Sequence, residues 1–336
     1  MSGGYAMLLR APHTRLERTA RPPAAPGAGE VRLRVEACGV CRTDLHLLDG
    51  ELPQARYPVV PGHEAVGIVE ALGEGVRNLA PGQRVGVPWL GHTCGRCDYC
   101  RMGRENLCDA PAFTGCTRDG GYATHVVAEA AFCVPLDARW PDPVAAAPLL
   151  CAGLIGWRAL RIAGEAPRLG LYGFGAAAHI VVQLARWRGQ RVFAFTRPGD
   201  ARAQAFARSL GACWAGGSDQ DAPEPLDAAI LFAPVGALVP HALRQVRKGA
   251  RVVCAGIHMS DIPAFPYRLL WEERELVSVA NLTREDAATF FDAAAQARVT
   301  THVMRYPLTA ADAALAALRA GALDGAAVLV PDDEAP

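Results

Sequence analysis

The chain has 336 residues, 51% hydrophobic and 20% charged, which suits a soluble protein of two domains better than one core. Lys plus Arg and Asp plus Glu balance at 34 each, so no net field recruits nucleic acid or an anionic membrane. No apolar run reaches the roughly 18 residues of a membrane span. The N-terminal Met1-Ser2-Gly3-Gly4-Tyr5 lacks a basic region ahead of an apolar core, so a cytoplasmic location is expected.

In chain order, residues 1–150 read as short strands broken by turns. Val31-Arg32-Leu33-Arg34-Val35 alternates cleanly, and Ala65 to Ala71 reads as a mostly apolar strand ending before Gly73. Pro22-Pro23, Pro61-Gly62 and Pro81-Gly82 punctuate such runs, as in a small β-barrel-like unit with long loops. The pattern changes near Leu149. Across 151–285, strands alternate with helices: Leu169 to Tyr172, Ala176 to Arg188, Val192 to Phe195, Ala201 to Leu210, Ala228 to Phe232, Val239 to Val246 and Arg251 to Cys254. That order predicts an α/β domain, a doubly wound parallel sheet of Rossmann type. The segment 286–336 completes an Ala-rich helix from Arg284 to Ala297, then holds a second from Ala310 to Ala320 and a final strand, Ala327 to Val330.

Eleven cysteines are present, and four of them form Cys-x2-Cys-x2-Cys-x7-Cys at Cys94, Cys97, Cys100 and Cys108. In a reducing compartment such clustering points to metal rather than disulfides. Four thiolates suit a closed tetrahedral zinc site, structural because no position is left for substrate. An iron–sulfur cluster is the alternative chemistry for four thiolates, but no electron-transfer context accompanies it. Cys133, Cys213 and Cys254 sit among small apolar neighbours and read as buried packing residues.

Cys41, His63 in Gly62-His63-Glu64, and Cys151 after Pro148-Leu149-Leu150 offer two thiolates and an imidazole. Such a set leaves a fourth zinc position open, as catalysis requires. Composition alone does not connect them, since a lone histidine or cysteine has an ordinary structural explanation.

These segments resemble the medium-chain dehydrogenase/reductase family, in its zinc alcohol dehydrogenase branch, from about residue 5 to residue 330. The resemblance is carried by Gly62-His63-Glu64, the four-cysteine lobe and the Cys41-Arg42-Thr43-Asp44 turn. It implies a GroES-like β-rich catalytic domain beside the Rossmann domain. It also implies that Cys41, His63 and Cys151 hold the catalytic zinc, making two zinc ions per chain, and that Cys38 is a packed thiol. Glu64 would approach the metal during ligand exchange, and Asp44 would orient His63. Thr43 and His46 resemble the family's proton relay, and Arg42 resembles the residue that reaches the cofactor pyrophosphate. Trp89 matches a position that narrows the pocket, and Cys116 occupies one often filled by a larger aromatic. Ile155 stands where many relatives place a small hydroxyl.

Gly173-Phe174-Gly175-Ala176-Ala177-Ala178 follows a predicted strand and opens a helix, as a dinucleotide turn must. Ala178 replaces the third glycine, whose role is helix–strand packing. At the end of the next strand, Thr196-Arg197 stands where NAD recognition needs an acid. Thr plus Arg would bind a 2′-phosphate, so NADP is favoured over NAD, with Asp200 as the alternative ribose contact. The substrate would be a small alcohol or its aldehyde or ketone. The resemblance further implies a homodimer or homotetramer formed through residues 256–285, including Val277-Ser278-Val279. Rival readings are a zinc-free quinone or enoyl reductase of this fold, which would lack both cysteine sets, and a noncatalytic zinc-binding protein.

Overall fold

The structure, a computed structural model, describes residues 3–323 and 325–332. Met1 and Ser2, which head the N-terminal segment read above, and positions 324 and 333–336 lie outside the described residues. The chain divides into two compact units: residues 1–151, 281–288 and 300–336 form one, and residues 152–280 and 289–299 the other.

In the first unit a seven-stranded sheet runs in the order Val303–Pro307, Ala326–Val330, Glu30–Val40, Ala65–Leu72, Arg84–Val87, Val134–Pro135, with His125–Glu129 also pairing Glu30–Val40. The alternation of the third strand is physical: Val31, Leu33 and Val35 are buried, while Arg32 and Arg34 turn outward toward Glu70. The strand runs on to Val40, because Ala37, Cys38 and Val40 are buried too.

The second unit holds six strands, all parallel, in the order Trp214–Gly217, Arg191–Thr196, Arg168–Tyr172, Leu226–Leu231, Val246–Cys254, Glu275–Ser278. Counted along the unit this is 3-2-1-4-5-6, the doubly wound dinucleotide-binding order. The inner strands are near-continuous apolar runs, as burial on both faces demands, and Tyr172 stacks on Phe195 at 4.1 Å. The order reverses between Arg168–Tyr172 and Leu226–Leu231, whose carboxyl ends frame the switch point.

Two expectations need correction. The segment 286–336 does not return to the first unit as one block, since residues 289–299 belong with the parallel sheet. Within that unit the Trp157 indole N–H donates to Thr289 Oγ1 at 3.0 Å, and Phe290 is fully buried beside the Trp157 ring. Cys213 is exposed rather than packed, because it enters the outermost strand of that sheet, and Cys254 is half-buried; Cys133 is buried. Among the described residues no single helix is long and apolar enough to cross a membrane.

Candidate active site

The short helix Arg42–Leu48 starts at Cys41, whose backbone is extended. The Cys41 N–H donates to Asp44 Oδ2 at 2.8 Å, which caps the helix and fixes the turn that carries the thiol. The Tyr122 hydroxyl donates to the same oxygen at 3.1 Å, and the other oxygen, Oδ1, faces His63 Nδ1 at 3.3 Å. This last contact lies within ion-pair range but short of good hydrogen-bond geometry. Among the described residues His63 Nε2 has no hydrogen-bond partner although the ring is buried.

His63 follows Gly62, whose φ of +97° and close approach to the Tyr122 ring exclude a side chain. Cys151 follows the fully buried Leu149 and Leu150, the latter wedged against Gly86. From these separate elements one donor atom each of Cys41, His63, Glu64 and Cys151 gathers within 4.8 Å. Gly39 is what admits the carboxylate, since a Cβ there would fall 1.8 Å from Glu64 Oε2. Cys38 is buried outside this group, packed against Gly62 and Gly121.

The electrostatics follow from burial and proximity. A shared contact with Cys151, aided by the adjacent His63, holds the Cys41 thiol well below its usual range. The same contact, with burial, pushes Cys151 well up. Burial opposes charge on His63, but Asp44 and Cys41 beside it raise its pKa well above the ordinary value. Burial and the nearby Cys41 push Glu64 well up. Two thiols, an imidazole and a carboxylate crowded together form a donor set that fits a divalent metal.

Thr43 is buried, with its hydroxyl 3.8 Å from Cys41 Sγ. His46 bonds through Nδ1 to the half-exposed carboxylate of Glu51. Arg42 is exposed at the head of the helix.

Cys94, Cys97, Cys100 and Cys108 form a second group within the same 4.8 Å. Backbone N–H groups of Cys94 and Ala110 point at Cys108 Sγ, at 3.2 and 3.4 Å, and that of Cys97 at Cys94 Sγ, at 3.3 Å. Backbone donors from Arg96 and Cys97 bring the Cys94 thiol down to about 6, while burial and the neighbouring Cys97 and Cys108 thiols push Cys100 up to about 12. The lobe's helix Asp98–Arg101 buries no residue, so a metal suits the stabilising role that a core would otherwise fill. Glu105 ties the lobe down by accepting from Arg284, including Nη2 at 2.6 Å.

In the second unit Gly173, at φ +87°, lies so near Ala233 that a Cβ would meet its backbone nitrogen at 2.8 Å. Gly175 caps the helix Ala176–Trp187 and has open space around it, and Ala178 is fully buried. A tight turn at the switch point, an open helix N-terminus and a packed third position are what a pyrophosphate turn needs.

The alcohol dehydrogenase GroES-like domain family matches residues 27–138. A Mycobacterium tuberculosis (strain CDC 1551 / Oshkosh) protein named "Probable alcohol dehydrogenase AdhA" is 48% identical over 324 residues, covering 94% of this chain and 92% of the relative. This chain belongs to the alcohol dehydrogenase branch of the medium-chain dehydrogenase/reductase family.

Two solved structures share the fold of this alcohol dehydrogenase family member across nearly its whole length. Acetophenone reductase from Geotrichum candidum NBRC 4597, in complex with NAD, superposes with a TM-score of 0.87 at 27% identity, covering 100% of this chain and 99% of that one. The cobalt- and zinc-bound thermostable alcohol dehydrogenase from Pyrobaculum aerophilum gives 0.88 at 26% identity, covering 98% and 99%.

Two pocket and cofactor assignments change in this alcohol dehydrogenase family member. Trp89 stands edge-on to His63, with ring centroids 5.1 Å apart, and stacks on Phe113. Cys116, at the position often filled by a larger aromatic, has no exposed surface; its amide bonds to Phe113 O at 3.3 Å and its carbonyl accepts from Arg56. Thr196 is buried, with its hydroxyl turned inward to Arg197 O at 3.0 Å and Gly216 O at 3.3 Å, so it does not offer itself to a 2′-phosphate. Asp200 is occupied in capping its own helix through Ala203 N at 2.9 Å. Arg197 is exposed. Tyr267 and Trp271 are exposed and in edge contact with one another. Gly39, Glu51 and Tyr122 carry no local motif that marks them in the sequence.

Proposed function

We propose that this chain is a zinc-dependent alcohol dehydrogenase that exchanges hydride between a small alcohol and its aldehyde or ketone, using a nicotinamide cofactor. The observation that carries the reading is the convergence of Cys41, His63 and Cys151, with a buried imidazole nitrogen that makes no hydrogen bond of good geometry among the described residues. Those three side chains would hold a catalytic zinc, which supplies Lewis acidity toward the substrate oxygen, while the nicotinamide supplies the redox chemistry. Cys94, Cys97, Cys100 and Cys108 would hold a second, structural ion.

The protein's own groups then have defined tasks. Asp44 holds Cys41 through its backbone and faces His63, which orients both ligands. Glu64, kept close by Gly39, is a spare carboxylate for ligand exchange. Thr43 lies beside the ligand thiol, where its hydroxyl can take a proton from the substrate oxygen. His46, on the same helix one turn on, passes it toward solvent with Glu51 as its partner. Trp89 forms an aromatic wall beside His63 that limits substrate bulk. Gly173, Gly175 and Ala178 would shape the pyrophosphate turn.

NADP is favoured over NAD, and this now rests on Arg197 alone: an exposed guanidinium follows the strand end, and no carboxylate stands at that position. A homodimer or homotetramer is proposed through the strand Glu275–Ser278, one of the two edge strands of the parallel sheet, with the exposed Ile257 and Ile262 in the preceding loop. The test is a panel of primary and secondary alcohols with NADP and NAD, using metal-replete protein. Alcohol-dependent cofactor reduction supports the reading. Reduction of quinones or enoyl substrates without alcohol turnover contradicts it.

A further inference from the structure

Tyr122 lies outside every motif, yet it touches both halves of the candidate catalytic centre. Its ring is fully buried. Its backbone N–H donates to Pro61 O at 2.9 Å, and the N–H groups of Gly121 and Gly120 donate to Gly62 O at 2.8 Å and Val60 O at 2.7 Å. The loop that delivers His63 is therefore strapped to the segment 120–122. The ring lies so close to Gly62 that a Cβ there would sit 2.4 Å from Tyr122 Cδ1. From the same residue the hydroxyl crosses to the helix after Cys41 and donates to Asp44 Oδ2.

We propose that Tyr122 is a positioning residue for the metal-binding histidine: its hydroxyl, with the Cys41 amide, fixes Asp44 Oδ2 so that Oδ1 faces His63 Nδ1. The carboxylate cannot rotate without breaking two hydrogen bonds. An imidazole whose Nδ1 faces a fixed carboxylate keeps its proton there and leaves Nε2 as the electron-pair donor. Tyr122→Phe removes one oxygen and keeps the packing. Asp44 then loses a buried donor and His63 loses part of its orientation. This inference rests on the catalytic-metal reading proposed above.

The experiment follows release of metal from the holoenzyme into a chelator for wild type, Tyr122→Phe, Asp44→Asn and the double variant, alongside kcat and KM for an alcohol. In Tyr122→Phe one of two ions should leave about tenfold faster, as loss of a partner behind a ligand does elsewhere, while the other, held by the four cysteines, leaves at the wild-type rate. Circular dichroism should be unchanged, and kcat should fall with KM nearly constant. Because Tyr122 acts through Asp44, adding Tyr122→Phe to Asp44→Asn should change release less than about twofold. Wild-type release from Tyr122→Phe, equal acceleration of both ions, or independent effects in the double variant would overturn the inference. A wild type holding one ion only, that of the cysteine lobe, would overturn the catalytic-metal reading itself and the role of Tyr122 with it.

Discussion

Cys41 and Cys151 are 110 positions apart in the chain, yet their Sγ atoms lie 3.7 Å apart. That mutual contact holds the first thiol low and the second high. Replacing either thiol by Ala should remove one metal equivalent and lower turnover at least about a hundredfold. The fold should persist, because Leu149 and Leu150 anchor the turn independently. Metal content and circular dichroism of each variant check this, and a variant that keeps both ions contradicts it.

The cysteine lobe should behave in the opposite way. It has no buried helix face of its own, so Cys97→Ser should cost stability, about 3 kcal/mol or more, and expose residues 94–108 to protease. Thermal denaturation and limited proteolysis report this. Full stability after loss of the lobe metal would mean that Glu105 and Arg284 suffice to hold it.

Much of this was legible in the sequence, for physical reasons. Val31, Leu33 and Val35 face one core and so alternate with charged neighbours, whereas Ala228 to Leu231 face two cores and give an unbroken apolar run. The cysteine lobe is local, so its spacing is its geometry. Convergence at a distance is not local: nothing in the string brings Tyr122 to Asp44, or says that Gly39 clears room for Glu64. Thr196 misled because a hydroxyl at a strand end can turn outward to a ligand or inward to a carbonyl, and Gly216 O decides that it turns inward.

In the proposed reading, cofactor choice rests on the exposed Arg197. Arg197→Ala should lower kcat/KM with NADP about tenfold, or 1.4 kcal/mol, and leave NAD nearly unaffected. Steady-state kinetics with both cofactors decide the matter. Equal losses with NADP and NAD, or a wild-type preference for NAD, count against a 2′-phosphate contact.

Asp227 gives the parallel sheet a pH dependence. Its buried carboxylate accepts from Arg168 Nε and Nη2, each at 2.9 Å, and pairs with Arg247 at 2.7 Å. Arg168 first, then Arg247, hold its pKa below the ordinary carboxylate value, against the opposing effect of burial. A depressed folded pKa contributes stability that is complete above the unfolded value of about 4 and is lost as pH falls through the folded value. Asp227→Asn should cost about 2 kcal/mol at neutral pH, less than a fully buried pair because Arg247 is exposed. The gap between variant and wild type should close below about pH 4 in urea titrations. A gap that is constant with pH would assign the effect to packing.

In the proposed function, alcohol oxidation depends on a metal held by Cys41, His63 and Cys151. The direct measurement is elemental analysis and alcohol-dependent nicotinamide reduction on one preparation, before and after mild chelation, beside His63→Ala. The expected result is about two zinc ions per chain, loss of turnover with removal of the more labile one, and recovery on adding zinc back. His63→Ala should hold one ion and show no turnover. Full activity from protein holding only the cysteine-lobe ion, or from His63→Ala, would contradict it.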